Sequence, residues 1–197
     1  MKKSLIIFFA LVFLTTLHAQ TKTNLEMFYN LIDNSVNKAT ELTKDAAEIS
    51  LSVSGSTTLE LLKPKVFESF SNNGFIIKNE NSGSATKVSY LLSRASVEYG
   101  EAEKDGFFGN IICERKVSLN GIVTITFADG NIKSAELYEV EKDTIEVDEI
   151  RYLEDLALPI TQSSRPEVSF LSNLLEPVLV VAVLVTTIVL LFSVRGR

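Results

Sequence analysis

Apolar runs at both ends of the chain constrain its organisation most, because each is too apolar for an exposed terminus of a compact domain. The N-terminal run, 5–14, follows Lys2 and Lys3 and precedes Ala19. A basic start, a short apolar stretch and a small residue in this order are typical of a secretory signal peptide. We therefore predict a signal peptide over 1–19, and an uncleaved N-terminal anchor is the alternative.

The C-terminal run occupies 177–194 and contains no charged residue. As a helix, such a run would extend about 27 Å, close to the hydrocarbon thickness of a bilayer. Arg195 and Arg197 follow it, and basic residues favour the cytoplasmic side. The pattern predicts a transmembrane helix over 177–194 and a cytoplasmic tail over 195–197. The expected location is the bacterial inner membrane, as a single-pass protein with its domain in the periplasm.

The residues between the two runs are strongly acidic. Four of the 19 basic residues lie in the apolar ends, which leaves 15 against all 25 acidic residues. An acidic surface repels nucleic-acid backbones, so we predict no nucleic-acid partner. The single cysteine, Cys113, permits no intramolecular disulfide, which suits a bacterial envelope better than a secreted animal domain.

Helical periodicity dominates the first part of this acidic region. Apolar residues recur at spacings of three and four from Leu25 to Leu42, after Thr23 and Asn24, either of which can cap a helix that would run to about Ala47. A second helical pattern runs from Leu59 to Phe70. Pro64 lies inside the second pattern and predicts either a kink or a later start.

Strand-like alternation dominates the remainder. Apolar residues alternate over 88–92 and again over 95–99, but the second set is one residue out of phase with the first. This change of phase predicts a β-bulge near Ser93 and Arg94.

Two turn signals follow, at Asn120-Gly121 and at Asp129-Gly130-Asn131. They predict two hairpins, with Val117 opposite Val123 across the first and Val123 opposite Leu137 across the second. The strand before the first signal carries Cys113 on its apolar face, so we expect that thiol to be buried and unreactive. Arg115 is the exception on the same face.

These elements predict an α+β fold: two N-terminal helices packed on one face of an antiparallel β-meander, plus a C-terminal transmembrane helix. The extracytoplasmic domain would cover 20–156. Residues 157–176 contain Pro159 and Pro166 and would form a juxtamembrane stalk. The order of elements resembles that of small envelope accessory domains of secretion and lipid-transport machineries, which implies an accessory role.

Catalytic motifs are not evident in the sequence. The one histidine, His18, lies in the predicted signal peptide, so a Ser–His or Cys–His mechanism is not expected. We predict that the protein is not an enzyme and holds no cofactor or metal. The acidic residues Asp143, Glu146, Asp148 and Glu149 leave one alternative, a carboxylate-dependent hydrolase acting on envelope polymer. A solvated acidic sheet edge is the commoner explanation of such a cluster.

Aromatic and apolar residues outside the core patterns are the candidate partner contacts. Phe107 and Phe108 are adjacent in a loop between two glycines, and Phe170, Leu171 and Leu174 lie at helical spacing before the apolar run. We therefore predict a membrane-tethered, extracytoplasmic binding or scaffold protein of a bacterial cell-envelope assembly, with another envelope protein as its partner.

Overall fold

The computed structural model describes residues 21–43, 47–78, 86–106, 109–167 and 170–195. The predicted signal peptide over 1–19 lies outside these residues. The helices are α1 (Asn24–Leu42), α2 (Lys63–Asn72), α3 (Ile150–Leu153) and α4 (Phe170–Arg195). The strands are β1 (Glu48–Gly55), β2 (Ile76–Lys78), β3 (Thr86–Tyr99), β4 (Glu103–Lys104), β5 (Ile111–Thr126) and β6 (Ile132–Glu146). Short 3-10 turns cover Thr57–Leu62, Val147–Glu149 and Pro159–Thr161.

The start of α1 is fixed by a capping box. The Glu26 backbone N–H donates to Thr23 Oγ1 at 3.2 Å, and the Thr23 backbone N–H donates to the Glu26 carboxylate at 2.7 Å. These bonds satisfy two amides that a helix start leaves unpaired, and the backbone bond from Thr23 is the main reason that the pKa of Glu26 lies below its usual value. The predicted cap at Thr23 is therefore confirmed.

The start of α2 is fixed by Pro64, which occupies the first turn after a 3-10 segment. Proline is tolerated there because its missing N–H would be unpaired in any case. The later start is confirmed, and the chain leaves α2 through Gly74 at a φ of 87°.

The sheet is mixed, so the prediction of an antiparallel meander is wrong for its N-terminal half. The strand order is β2-β1-β3-β5-β4, with β6 also paired to β5. β1 runs parallel to β2 and also parallel to β3. β5 pairs antiparallel with β3, with β4 and with β6. The helical segment between β1 and β2 explains the parallel pair, because a crossover helix returns the chain to the same strand direction.

The predicted hairpin at Asn120-Gly121 is also wrong, because β5 is a single strand of 16 residues. The predicted bulge is confirmed: the register between β3 and β5 shifts between Leu92 and Arg94. Gly121 lies opposite this bulge, where a Cβ atom would come within 2.7 Å of the Leu91 carbonyl oxygen. The glycine therefore permits a close approach of two strands and makes no turn.

The turn after β5 is confirmed, but its register differs from the prediction. Gly130 has a φ of 86°, and the Asn131 backbone N–H donates to the Asp129 side chain at 2.9 Å. Val123 lies opposite Ala135 and not opposite Leu137. The loop holds five residues between the paired Thr126 and Ile132, which moves the register by two positions.

The helices cover one face of the sheet. α1 contacts β5 and β6, and α2 contacts α1 and β1. A large core forms between them, and its fully buried large side chains include Met27, Phe28, Leu31, Ile32, Leu62, Phe70, Tyr90, Leu92, Leu119 and Ile125. A second, smaller core joins the start of β5 to α3 and consists of Cys113, Ile145, Ile150 and Leu153.

The predicted transmembrane helix over 177–194 is contradicted. A spanning helix needs about 20 consecutive, predominantly apolar residues, and no helix in the described part of the chain is long and apolar enough to cross a membrane. The residues of the predicted segment lie within α4.

Substituting Gly121→Ala should destabilise the domain by about 1–3 kcal/mol, because the new methyl group would collide with a backbone oxygen that cannot move without disturbing the bulge. Thermal unfolding followed by circular dichroism measures the effect. Gly100→Ala is the matched control, since its Cβ would meet the nearest atom, the Glu114 carbonyl oxygen, at an ordinary 3.5 Å. Equal melting temperatures for the two variants would show that the close approach at Gly121 is not a constraint.

Candidate functional site

Carboxylates occupy the helix-facing side of β6, where the neighbouring strand β5 is mostly apolar. Glu139, Glu141 and Asp143 lie at alternate positions, so their side chains leave the strand on one face. They pair with Leu119, Val117 and Arg115 of β5, all of which are buried beneath the helices. Lys22, Lys38 and Arg115 neutralise these three carboxylates. We call these six residues together the α1–β6 seam.

Arg115 is the most deeply buried charge of the seam, with no exposed surface. Its Nε and Nη2 donate to the two oxygens of Asp143 at 2.9 and 2.5 Å, and its Nη1 donates to the Lys22 carbonyl oxygen at 2.9 Å and to Asn24 Oδ1 at 2.8 Å. A buried guanidinium is tolerated only when it is paired and hydrogen-bonded in this way. Arg115, the one basic residue on the apolar face of β5, is thus the centre of a polar network.

Asn24 extends this network to the end of the domain. Its Nδ2 donates to the Tyr99 hydroxyl at 2.8 Å and to the Thr161 carbonyl oxygen at 2.7 Å. Burial raises the pKa of Tyr99 to about 12, so the phenol stays neutral. Ile160 and Thr161, within the predicted stalk, are buried against the domain. The start of α1 and the turn at Pro159–Thr161 therefore meet beside Arg115.

Lysines of α1 and its preceding residues neutralise the other two carboxylates of β6. Lys22 Nζ lies 3.0 Å from Glu141 Oε1, and Lys38 Nζ lies 2.6 Å from Glu139 Oε1. The Glu139 side chain is only 9% exposed, and its Oε1 has no hydrogen bond of acceptable geometry within the described chain. The contact with Lys38 is therefore an ion pair without directional bonding, and this oxygen keeps an unused capacity to accept a hydrogen bond.

Tyr90 connects the seam to the core. Its hydroxyl lies 2.5 Å from Ser35 Oγ of α1. Burial is the main reason that the pKa of Tyr90 is raised to about 12; the bond to Ser35 opposes the shift, and the nearby negative charge of Glu139 adds to it. At neutral pH the phenol is therefore a permanent hydrogen-bonding group, and it fixes α1 over the sheet.

The acidic residues singled out in the sequence do not converge on one point. Asp143 faces inward to Arg115, Glu146 accepts a bond from Asn110 Nδ2 at 2.7 Å, and Glu149 accepts one from Thr21 Oγ1 at 3.3 Å. Asp148 lies with Glu149 in the 3-10 turn after β6. Within the described ranges, no group of three or more His, Cys, Asp or Glu side chains is placed to hold a metal ion.

The candidate partner contacts lie beyond what the structure describes. Phe107 and Phe108 fall between the described ranges 86–106 and 109–167. Phe170, Leu171 and Leu174 belong to the first turns of α4, but their side chains are outside the described residues. All five stay predictions.

The face of the sheet away from the helices is lined mainly by short hydroxyl side chains. A depression of about 400 Å³ lies among them, bordered by Ser50, Ser52, Lys87, Val88, Ser89, Thr124 and Thr126. Further along the same face Leu91, Tyr138 and Val140 are 39%, 60% and 36% exposed. Period-two alternation identified the inward faces of these strands, but it gave no indication that this outer face would carry an exposed apolar group.

Comparison with solved structures finds distant similarity to lipoproteins. The rare lipoprotein B from Shewanella oneidensis is 15% identical, with a TM-score of 0.36, over 73% of this chain and 98% of that chain. A minor lipoprotein from Acinetobacter baumannii is 10% identical, with a TM-score of 0.36, over 68% of this chain and 87% of that chain. No protein-family model matches the sequence, and no curated protein matches it.

Replacing Arg115→Met should destabilise the domain by about 1–3 kcal/mol, because Asn24 Oδ1 would lose its buried donor and Asp143, whose side chain is 35% exposed, would lose its partner. Denaturant unfolding measures the loss. Lys142→Met is the matched control: Lys142 neighbours Asp143 in sequence, but its pair with Glu114 joins two side chains that are about half exposed, 52% and 56%, and such pairs contribute about 0–1 kcal/mol. If Arg115→Met lowers the free energy of unfolding no more than Lys142→Met does, the structural role given to the network is contradicted.

Cys113 should react slowly with thiol reagents in the native protein at pH 8 and completely after unfolding. The residue is 1% exposed, and burial raises the pKa of its thiol, with Asp143 adding to the shift and Arg115 opposing it. The reactive species is the thiolate, so both effects slow modification. Absorbance of the released thiol chromophore measures the rate, and rapid native-state reaction would show that the inward face of β5 has been assigned wrongly.

Proposed function

We propose that the domain is a non-catalytic binding or scaffold subunit of a bacterial cell-envelope assembly, acting outside the cytoplasm on another envelope protein. The observation that supports this most is the exposed apolar group on the sheet face opposite α1 and α2, which no helix of the described residues covers. Leu91 lies directly opposite Ile122, whose partner on β6 is Glu136; Tyr138 and Val140 lie two and four residues further along β6 on the same face, so Tyr138 is the diagonal neighbour of Ile122. Exposed apolar groups on a sheet face that no helix covers are typical of protein interaction sites.

The state of the polar residues supports a binding role over catalysis. The buried Arg115 and the partly exposed Asp143 bond to each other within a network that holds the fold together, and a group engaged in this way is poorly suited to exchange protons with a substrate. The sequence pattern over 1–19, which predicts a secretory signal, supports a site of action outside the cytoplasm.

The five residues named from the sequence are proposed as additional contacts. Phe107 and Phe108 follow β4, and Phe170, Leu171 and Leu174 lie at the start of α4. Substituting Phe107 and Phe108 together by serine should weaken complex formation and leave the melting temperature of the domain unchanged.

A photo-crosslinking amino acid at Leu91 in living cells tests the proposal most directly. We expect a discrete adduct with one envelope protein, because this position lies in the exposed apolar group. The matched control is the same substitution at Tyr152, which is 67% exposed but lies in α3. Adducts of equal yield from both positions, or none from Leu91, would contradict the binding surface.

The hydrolase alternative makes an opposite prediction. The triple variant Glu146→Gln, Asp148→Asn and Glu149→Gln leaves Asp143, and therefore the Arg115 network, intact. We expect this variant to keep its function in cells. Loss of function with crosslinked complexes still present would favour a carboxylate-dependent enzyme.

A further inference from the structure

The long strand β6 lies at an edge of the sheet. Ile112 of β5 pairs both with Glu103 of β4 and with Glu146 of β6. The two strands must therefore lie on opposite sides of β5, and no described strand pairs with the far side of β6. This strand of 15 residues thus presents a row of backbone donors and acceptors that a further strand can pair with.

A groove runs along this edge beside α1. It has a volume of about 340 Å³ and is lined by Lys22, Asn30, Asp33, Asn34, Val140 and Glu141. A segment that paired with β6 would therefore have one face against α1 and its amide side chains. A sheet edge next to a helix is a recurrent geometry for binding extended peptides by strand addition.

Charge selects what this edge can bind. β6 carries five acidic and two basic residues. A second copy pairing through the same strand would place carboxylates opposite carboxylates, which is destabilising. A segment rich in lysine or arginine would instead complement the edge, and its cations could take the places of Lys22 and Lys38 beside Glu141 and the nine-tenths buried side chain of Glu139.

The lysines already present do not block such a segment. The side chains of Lys22 and Lys38 are 54% and 59% exposed, so either ammonium can return to water, whereas Glu141 and Glu139 are 30% and 9% exposed and need a cation beside them. In the free protein the two lysines neutralise the inward carboxylates, and inward charges on an edge strand also discourage self-association. An incoming cation would exchange with them at small cost.

We propose that the β6 edge and its groove bind an extended basic segment of a partner protein, which adds to the sheet as a strand beside β6. The inference rests on the proposed binding function and names the chemistry of the partner. The basic side chains of the segment lie at alternate positions and face the carboxylates of the seam, the residues between them face the outer side of the sheet, and its backbone pairs with β6.

Three fluorescent peptides of 12 residues test the inference against the full chain by anisotropy. The first alternates lysine with valine. The second replaces every lysine by glutamate, and the third replaces every valine by proline, which keeps the charge but removes half of the backbone donors. We expect binding of the first peptide alone, together with slower hydrogen exchange of amides within 132–146.

Two variants of similar exposure localise the binding. Val140→Lys places a positive charge on the outer side of β6, at the edge strand itself, and should weaken the lysine–valine peptide on the order of tenfold, equivalent to about 1.4 kcal/mol. Leu91→Lys places the same charge on β3, away from the edge, and should leave the affinity unchanged. Val140 is 36% exposed and Leu91 is 39% exposed. The comparison therefore isolates the effect of lying on the edge strand from the effect of exposure.

Several outcomes would overturn the inference. Equal binding of the lysine–valine and lysine–proline peptides would indicate non-specific attraction, and equal effects of both lysine variants would place binding on the sheet face. Concentration-dependent protection of 132–146 without peptide would make a second copy the occupant. Failure of the peptide to bind would leave the crosslink from Leu91 unaffected, so the two proposals fail separately.

Discussion

The bidentate pair between Arg115 and Asp143 is the interaction on which the arrangement of the domain depends. A guanidinium without solvent contact would be strongly destabilising if any of its partners were missing. Its partners come from β6, from Lys22 before α1 and from Asn24 at the start of α1. Placing this one charge therefore determines where α1 begins and on which side of β5 the chain returns as β6.

The same constraint decides which surfaces remain for partners. Since α1 and α2 pack on one face of the sheet, that face is closed except along the β6 edge. The outer face and the far side of β6 remain. The first offers apolar contact around Leu91, and the second offers backbone pairing with an acidic strand. The two surfaces share β6, so one partner could use both.

Local features of the fold were predictable from the sequence because their causes are local. The cap at Thr23, the proline start of α2 and the bulge near Arg94 each follow from a few adjacent residues. The parallel pairing of β1 was missed because it depends on where a crossover returns the chain. The glycine of Asn120-Gly121 was misread, because a turn and a close approach of strands select the same residue. The partners of Arg115 lie 28, 91 and 93 residues away in sequence, and the only local sign of them was one basic residue on an apolar face.

Exchange of the Arg115 Nε proton with solvent, followed by NMR, tests the central claim most directly. A guanidinium proton that is buried and donated to Asp143 should give a resolved resonance, and it should exchange only when the domain unfolds as a whole. Its exchange rate should therefore fall when the free energy of unfolding of the domain rises and increase when it falls. The exchange rates of the core amides of β5 should change in the same way. A proton that exchanges as fast as those of exposed arginines, while the core amides stay protected, would contradict the account.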